Sequence, residues 1–327
     1  MINYLREYFF YKNKVKILSN LKNRYKKVNK NKKDTFYIIK RDRWNGMFSN
    51  IHFVILHIIY AKSKKYIPII DMKYYPTIYN EKKKINGTLN SWLYYLNQPN
   101  KLELDEIYKK KNYILSNEKN INTSKINSKI YKEYQSVLYN FKFKPRIPRL
   151  VSSYEKRYFK NKKILGIHFR GTDQKTAARH PFPPTAKQIT KIAEDIFLKK
   201  KYDIIFLVTE EIKYYKIFKK IFKDKLISFN SFRSDNNFKV YPRRQHRYLL
   251  GLETIINMIL LSKSNLLLHS NSNLSAMAKH YSKKKMKEVI IFNGINSSNI
   301  FISNFLWYLK CFLPYKFFGF KNKIIEK

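Results

Sequence analysis

Four features able to do chemistry fall within six residues of one stretch, ILGIHFRGTDQKTAARHP, from Ile164 to Pro181. They are the imidazole of His168, the guanidinium of Arg170, the backbone freedom of Gly171 and the carboxylate of Asp173. Arg170 offers a planar, permanently charged fork that fits a diphosphate. Gly171 lets the backbone turn tightly and approach a ligand. The same spacing also permits a plainer arrangement, a salt bridge between Arg170 and Asp173 that caps the preceding strand. A second stretch, LLLHSNSNLSAMAKHY, places Ser270, Asn271, Ser272 and Asn273 between an apolar run and a helical pattern. Serine and asparagine there are ordinary helix caps. Free amides at a helix start, flanked by hydroxyls, also form a cradle for phosphate.

These residues act together only if elements bring them together. The apolar run Ile164–Phe169 reads as a buried strand ending at the chemistry. Further strand candidates at Asp203–Val208, Leu226–Phe229, Asn265–His269 and Val289–Phe292 alternate with helical patterns near 185–200, 211–223, 244–263 and 273–285. That alternation predicts a doubly wound, Rossmann-like domain, in which ligands bind beyond the carboxyl ends of the strands. Upstream, Thr35–Asp42, Tyr66–Asp71 and Asn112–Ser116 read as strands, with helices over 51–65, LDEIYKKK and 124–140. This is a second α/β unit. The Pro-bearing stretch KPRIPRLV marks the expected boundary. The expected organisation is a basic arm (1–34), a first domain (35–150), a second domain (151–298) and a C-terminal tail (299–327).

In the tail, Phe301, Ile302, Phe305, Leu306, Leu309, Phe312 and Leu313 share one helical face, with Trp307, Tyr308 and Lys310 beside it. Such a helix either lies in a membrane interface or packs back on a domain. The chain of 327 residues carries 68 Lys and Arg against 22 Asp and Glu, a formal charge of +46. That excess fits a polyanionic partner, although abundant Lys, Asn, Ile, Tyr and Phe also reflect the coding bias of an AT-rich genome. Residues 12–33 hold no acid. The single cysteine, Cys311, excludes an internal disulfide. With no signal-peptide pattern and no long apolar run, the expected location is cytoplasmic, with peripheral contact at the inner membrane face. There is no Walker A or GxGxxG loop, no DxD triplet and no Cys/His metal spacing. An ATPase, a dehydrogenase and a metal-held diphosphate are thereby disfavoured.

HFRGTD resembles the His-x-Arg motif of the GDP-fucose-dependent fucosyltransferases: the α1,6-fucosyltransferases, the nodulation fucosyltransferases and the protein O-fucosyltransferases. In the α1,6 branch the motif runs Arg-Arg-Thr-Asp, and here Gly171 replaces the second arginine. FLVTEE, from Phe206 to Glu211, resembles that branch's strand ending in Ala-Thr-Asp-Asp. The segment Leu252–Asn273 resembles the family's helix–strand–Ser loop, and Gly46-Met-Phe-Ser-Asn50 is similar to the Gly-x-Phe-x-Asn loop of the protein O-fucosyltransferases. The resemblance implies an α/β, GT-B architecture, two Rossmann-like domains facing across a cleft, and inverting, metal-independent transfer from GDP-fucose or another nucleotide sugar to a glycan acceptor. It implies that Arg170 stabilises the departing β-phosphate and that His168 and Gly171 help hold the nucleotide. It further implies that Ser272 and Asn273 contact the diphosphate or ribose, and that Gly46 and Asn50 close over the donor from the first domain.

The chain departs from the family at two places. Asn257 stands where the family's helix carries an aspartate that reads guanine, with Glu253 one turn earlier. No glutamate follows the Arg-Gly-Thr-Asp stretch, which leaves Asp173 as the candidate base and His180 as another. The aromatics of INGTLNSWLYYL (Trp92, Tyr94, Tyr95) either stack on an acceptor sugar or form core. Other function classes consistent with the charge are a basic nucleic-acid-binding protein and a degenerate transferase that binds without turnover. Nucleic acid is disfavoured because the basic residues are spread along the chain instead of concentrated in one module.

Overall fold

The computed structural model describes residues 35–41, 45–110, 112–121, 128–234, 242–313 and 323–327, apart from the side chains at 128, 129, 172 and 173. The basic arm therefore lies outside the described residues. The chain divides into two compact units, Met1–Pro148 with Tyr241–Leu252, and Arg149–Val240 with Glu253–Lys327.

Unit 1 holds a parallel three-stranded sheet of β1 (Phe36–Lys40), β2 (Ile67–Asp71) and β3 (Tyr113–Leu115) in the order β2-β1-β3. Parallel strands are covered on both faces, which is why FYIIK reads as unbroken apolar sequence. Helix α1 (Met47–Ser63) is buried along most of its length, and α2 (Leu104–Lys110) packs Leu104 and Ile107 beside Phe36, Ile38 and Ile69. Helix α3 spans Ser128–Tyr139. Trp92, Tyr94 and Tyr95 are core, not sugar platforms. All three are buried, Trp92 Nε1 donates to Asn97 O at 3.0 Å, and the Tyr95 hydroxyl donates to Tyr248 O at 2.9 Å.

The two units part between Pro148 and Arg149, inside KPRIPRLV, but that stretch is helical. It opens helix α4 (Arg146–Tyr154), which continues as a π-helical turn to Phe159. Pro148 lies in the first turn, where its missing N–H is not required. The second domain is not one continuous segment. Residues 241–252 belong to unit 1, where Tyr248 stacks on Tyr95 at 5.7 Å and Arg247 donates to Ile78 O at 3.2 Å. A Cβ at Gly251 would collide with the Tyr95 hydroxyl, so the helix passes close to that ring only because residue 251 is glycine.

Unit 2 contains β4 (Ile164–His168), α5 (Ala186–Lys199), β5 (Ile204–Val208), α6 (Ile212–Phe222), β6 (Leu226–Ile227), α7 (His246–Leu261, entering from unit 1), β7 (Leu266–His269), α8 (Asn273–Tyr281), β8 (Lys287–Phe292), α9 (Ile300–Phe312) and β9 (Lys323–Glu326). The sheet order is β6-β5-β4-β7-β8-β9, with every pair parallel except β8 and β9. Leu165, Ile167, Ile205, Leu207, Leu266 and Leu268 supply its core. The antiparallel edge strand β9 was not expected from the tail. Helix α9 packs back on unit 2 through Ser303, Trp307 and Lys310, and leaves its apolar face exposed.

Candidate functional site

In unit 2 the chain leaves β4 toward β5 on one side of the sheet, while β7 lies on the other. The carboxyl ends of β4 and β7 therefore border the topological switch point, where open parallel sheets form a crevice. The strands are in register at His168 and His269. The loops that follow them carry Arg170 and Gly171 on one side and Ser272 and Asn273 on the other. Chain topology thus brings these four residues and His168 to one end of one sheet.

His168 is fully buried. Its Nδ1 lies 3.1 Å from the Ser272 hydroxyl. Burial, reinforced by His269 and Arg170, depresses its pKa to about 3, so the ring is neutral. Ser272 is the N-cap of α8, accepting from Ser275 N at 3.2 Å and lying 2.8 Å from the Ser275 hydroxyl. One hydroxyl therefore ties the imidazole to the helix start. Asn273, the first helical residue, is exposed beside it.

Arg170 extends beyond the strand with its side chain 34% exposed, and its Nε lies 3.5 Å from Glu210 Oε1. An ion pair this exposed contributes little stability. The sequence offered Asp173 as its partner. The structure assigns an ion pair to Glu210, in FLVTEE, and the Asp173 side chain lies outside the described residues. Gly171 has a packing reason of its own. A Cβ there would strike Glu211 Oε1 and lie 2.7 Å from Tyr214 Cε2.

Glu211 and Lys175 were not singled out from the sequence. Lys175 Nζ lies 2.9 Å from both carboxylate oxygens, and both side chains are nearly buried. Burial alone would lower the lysine pKa, but hydrogen bonds to Tyr214 and Glu211 outweigh it and raise the value. The ammonium also lies over the rings of Tyr214 at 4.8 Å and Trp307 at 5.1 Å. This charge-paired plug fixes the loop that presents Arg170. Its sequence signal was the second glutamate of Val-Thr-Glu-Glu, Glu211, at a strand end.

Glu253 and Asn257 lie on α7, both buried. Glu253 accepts from Phe232 N at 3.0 Å and anchors the 228–234 loop. Asn257 Oδ1 is buried with no hydrogen-bond partner among the described residues, an unsatisfied acceptor of the kind that marks a place for water or ligand. His180 is exposed on a turn.

In unit 1, Gly46 is the N-cap of α1 with extended backbone. Asn50 is buried and both ends of its amide are engaged. It accepts from Arg41 Nε at 3.3 Å and donates to Asn45 O at 3.2 Å. Arg41, stacked 4.3 Å from the Phe53 ring, was missed because nothing in TFYIIKRD distinguishes it from a strand-end charge.

No protein-family model matches the chain, and neither does any curated protein. Solved structures do. The α1,6-fucosyltransferase NodZ, soaked with GDP-fucose, superimposes with a TM-score of 0.54 at 12% identity, covering 79% of this chain and 95% of that one. NodZ from Bradyrhizobium gives 0.53 at 12% identity over the same shares. NodZ co-crystallised with GDP gives 0.51 at 13% identity, again over 79% and 95%. The chain shares the NodZ fold. At such identity the likeness carries architecture and not residue roles, so the chemistry must be argued from the side chains themselves.

Proposed function

We propose that the chain is a glycosyltransferase of the GT-B type, moving a sugar, fucose on the resemblance of its motifs, from a GDP-sugar to a glycan acceptor. One observation carries the reading: a topological switch point bordered by Arg170 and by a neutral His168 tied to the α8 cap. As the sugar–phosphate bond breaks, negative charge grows on the β-phosphate. A fixed guanidinium there stabilises the transition state more than the ground state. Arg170 has that role. Neutral His168 donates to the nucleotide, and Ser272 and Asn273 bring the first-turn amides of α8 to the diphosphate. The arginine and these amides supply the positive field, so the reading calls for no divalent cation. The acceptor hydroxyl attacks opposite the leaving diphosphate, which inverts the anomeric centre, and passes its proton to Asp173. Asn257 Oδ1 accepts one of guanine's N–H groups.

Calorimetric titration with GDP, UDP, CDP and ADP in the absence of metal tests this. GDP is expected to bind alone among them, and Arg170→Ala to weaken it at least about tenfold, as for loss of a charge-assisted contact. Binding of a different diphosphate would keep a transferase but discard the GDP donor. Binding to none would remove the reading. Binding of GDP with no turnover of GDP-fucose on any glycan would leave a donor-binding protein.

A further inference from the structure

Helix α9 is amphipathic in the inverse sense to an ordinary surface helix. Its buried residues are Ser303, Trp307 and Lys310, each held by a polar contact. Asn296 donates to Ser303 O at 3.1 Å, Trp307 Nε1 donates to Pro183 O at 3.1 Å, and Lys310 Nζ donates to Asn293 O at 3.4 Å. The outward face is apolar. Phe301 is 75% exposed and Phe312 86%, and Ile300, Phe305, Tyr308 and Leu309 are exposed as well. Lys310 is the helix's only charged residue, and it points inward. Exposed apolar faces of this kind mark an interaction surface.

The charge of the chain selects the occupant. From Ile300 to the end there are five lysines and one glutamate, within a chain of formal charge +46. A second copy would bring the same charge to the interface and repel. An anionic bilayer is complementary both to the aromatic face and to the net positive charge of the chain. No helix among the described residues is long and apolar enough to cross a membrane, so contact is in the interfacial plane. We propose that α9 docks on an anionic lipid bilayer, seating Phe301, Phe305, Tyr308 and Phe312 at the boundary of headgroups and acyl chains.

The docking helix is mechanically joined to the candidate site within unit 2. Trp307 lies 5.1 Å from the Lys175 ammonium, and Lys175 holds Glu211 beside Gly171, the residue after Arg170. If the transferase reading holds, on which this step alone rests, the acceptor is a lipid-anchored glycan presented at that surface.

Full-length protein sedimented with phosphatidylcholine vesicles, with and without phosphatidylglycerol, tests the docking. Binding is expected only with phosphatidylglycerol. The triple variant Phe301→Ser, Phe305→Ser, Phe312→Ser should reduce it at least about tenfold, because the buried apolar area is lost while every lysine remains. All three side chains are exposed, so an unchanged melting curve is expected as the folding control. The proposal is overturned by failure of the native chain to bind, or by equal binding of the variant, which would assign attachment to the lysines alone. It is also overturned by a lipid-free dimer in sedimentation velocity that the variant dissolves, since that would make a second copy the occupant. Vesicle binding is independent of GDP binding, so failure of the donor reading would leave this result standing.

Discussion

Parallel strands end in opposite ways in the two units. At the carboxyl end of β2, unit 1 buries Asp71 completely and satisfies it. Asp71 Oδ1 accepts from Lys73 N and Tyr74 N, both at 2.9 Å, and Oδ2 accepts from the Tyr108 hydroxyl at 2.6 Å. Burial pushes the Asp71 pKa up, and those three hydrogen bonds pull it back only in part. At the carboxyl end of β4, unit 2 leaves Arg170 one-third exposed against an equally exposed Glu210. One strand end is sealed by its own loop. The other keeps a charge where a ligand can reach it. A charged residue at a strand end is thus not a site in itself; what matters is whether the fold has already consumed it.

Reciprocal substitutions can break that distinction, and they carry the largest effects. Asp71→Ala strips a buried acceptor from three part-buried donors and is expected to cost about 3 kcal/mol of stability in denaturant unfolding, with GDP affinity of the folded protein unchanged. Arg170→Ala should do the reverse, with stability within about 0.5 kcal/mol and the loss in GDP binding. If Arg170→Ala proves the more destabilising of the two, the guanidinium is a structural element and the open end is not a site.

A buried histidine in each unit sharpens the comparison through pH. His57, 2.7 Å from the Tyr37 hydroxyl, has its pKa lowered to about 4 by burial and by Arg41; His168 is lowered to about 3. Both are neutral in the fold, whereas unfolded histidine titrates near 6.5. Between those values the unfolded chain binds the extra proton. Stability is therefore full above the unfolded pKa and falls as pH drops toward the folded one. Each ring should account for about 2 kcal/mol lost by about pH 5. Urea midpoints across this range measure it, and His168→Gln should remove one ring's share of the slope. A flat profile would mean that these rings are not desolvated.

Much of this was legible in the sequence. The strand ending at His168 and the helix start at Ser272 were visible because buried parallel strands are apolar throughout and capping residues are few. The NodZ-like fold follows from the same motif order. Other features depended on contacts between distant residues, which periodicity does not encode. Gly171 reads as a residue for turning toward a ligand, but its packing against Glu211 and Tyr214 needs a partner 40 residues on. Lys175 and Glu211 lie 36 residues apart and meet only when the fold buries them together. In α9 the apolar stripe was visible, but not which side the protein would choose, because Trp307 and Lys310 hydrogen-bond to Pro183 and Asn293, distant in sequence or across a turn.

The smallest expected effect separates a cap from a site. Thr185 caps α5 as Ser272 caps α8, its side chain accepting from Gln188 N at 3.2 Å. Replacing either by alanine should cost about 1 kcal/mol, the usual value of an N-cap. In stability the two variants should be indistinguishable. They should part in calorimetry, because Ser272 also holds His168 Nδ1 and borders the switch point, while Thr185 touches neither. Ser272→Asn adds a control, since asparagine caps as well as serine but cannot place a hydroxyl between the ring and Ser275. Restored stability without restored GDP affinity would assign the serine to the ligand. Equal GDP affinity across all three variants would make the α8 cap an ordinary one and leave Arg170 to define the crevice alone.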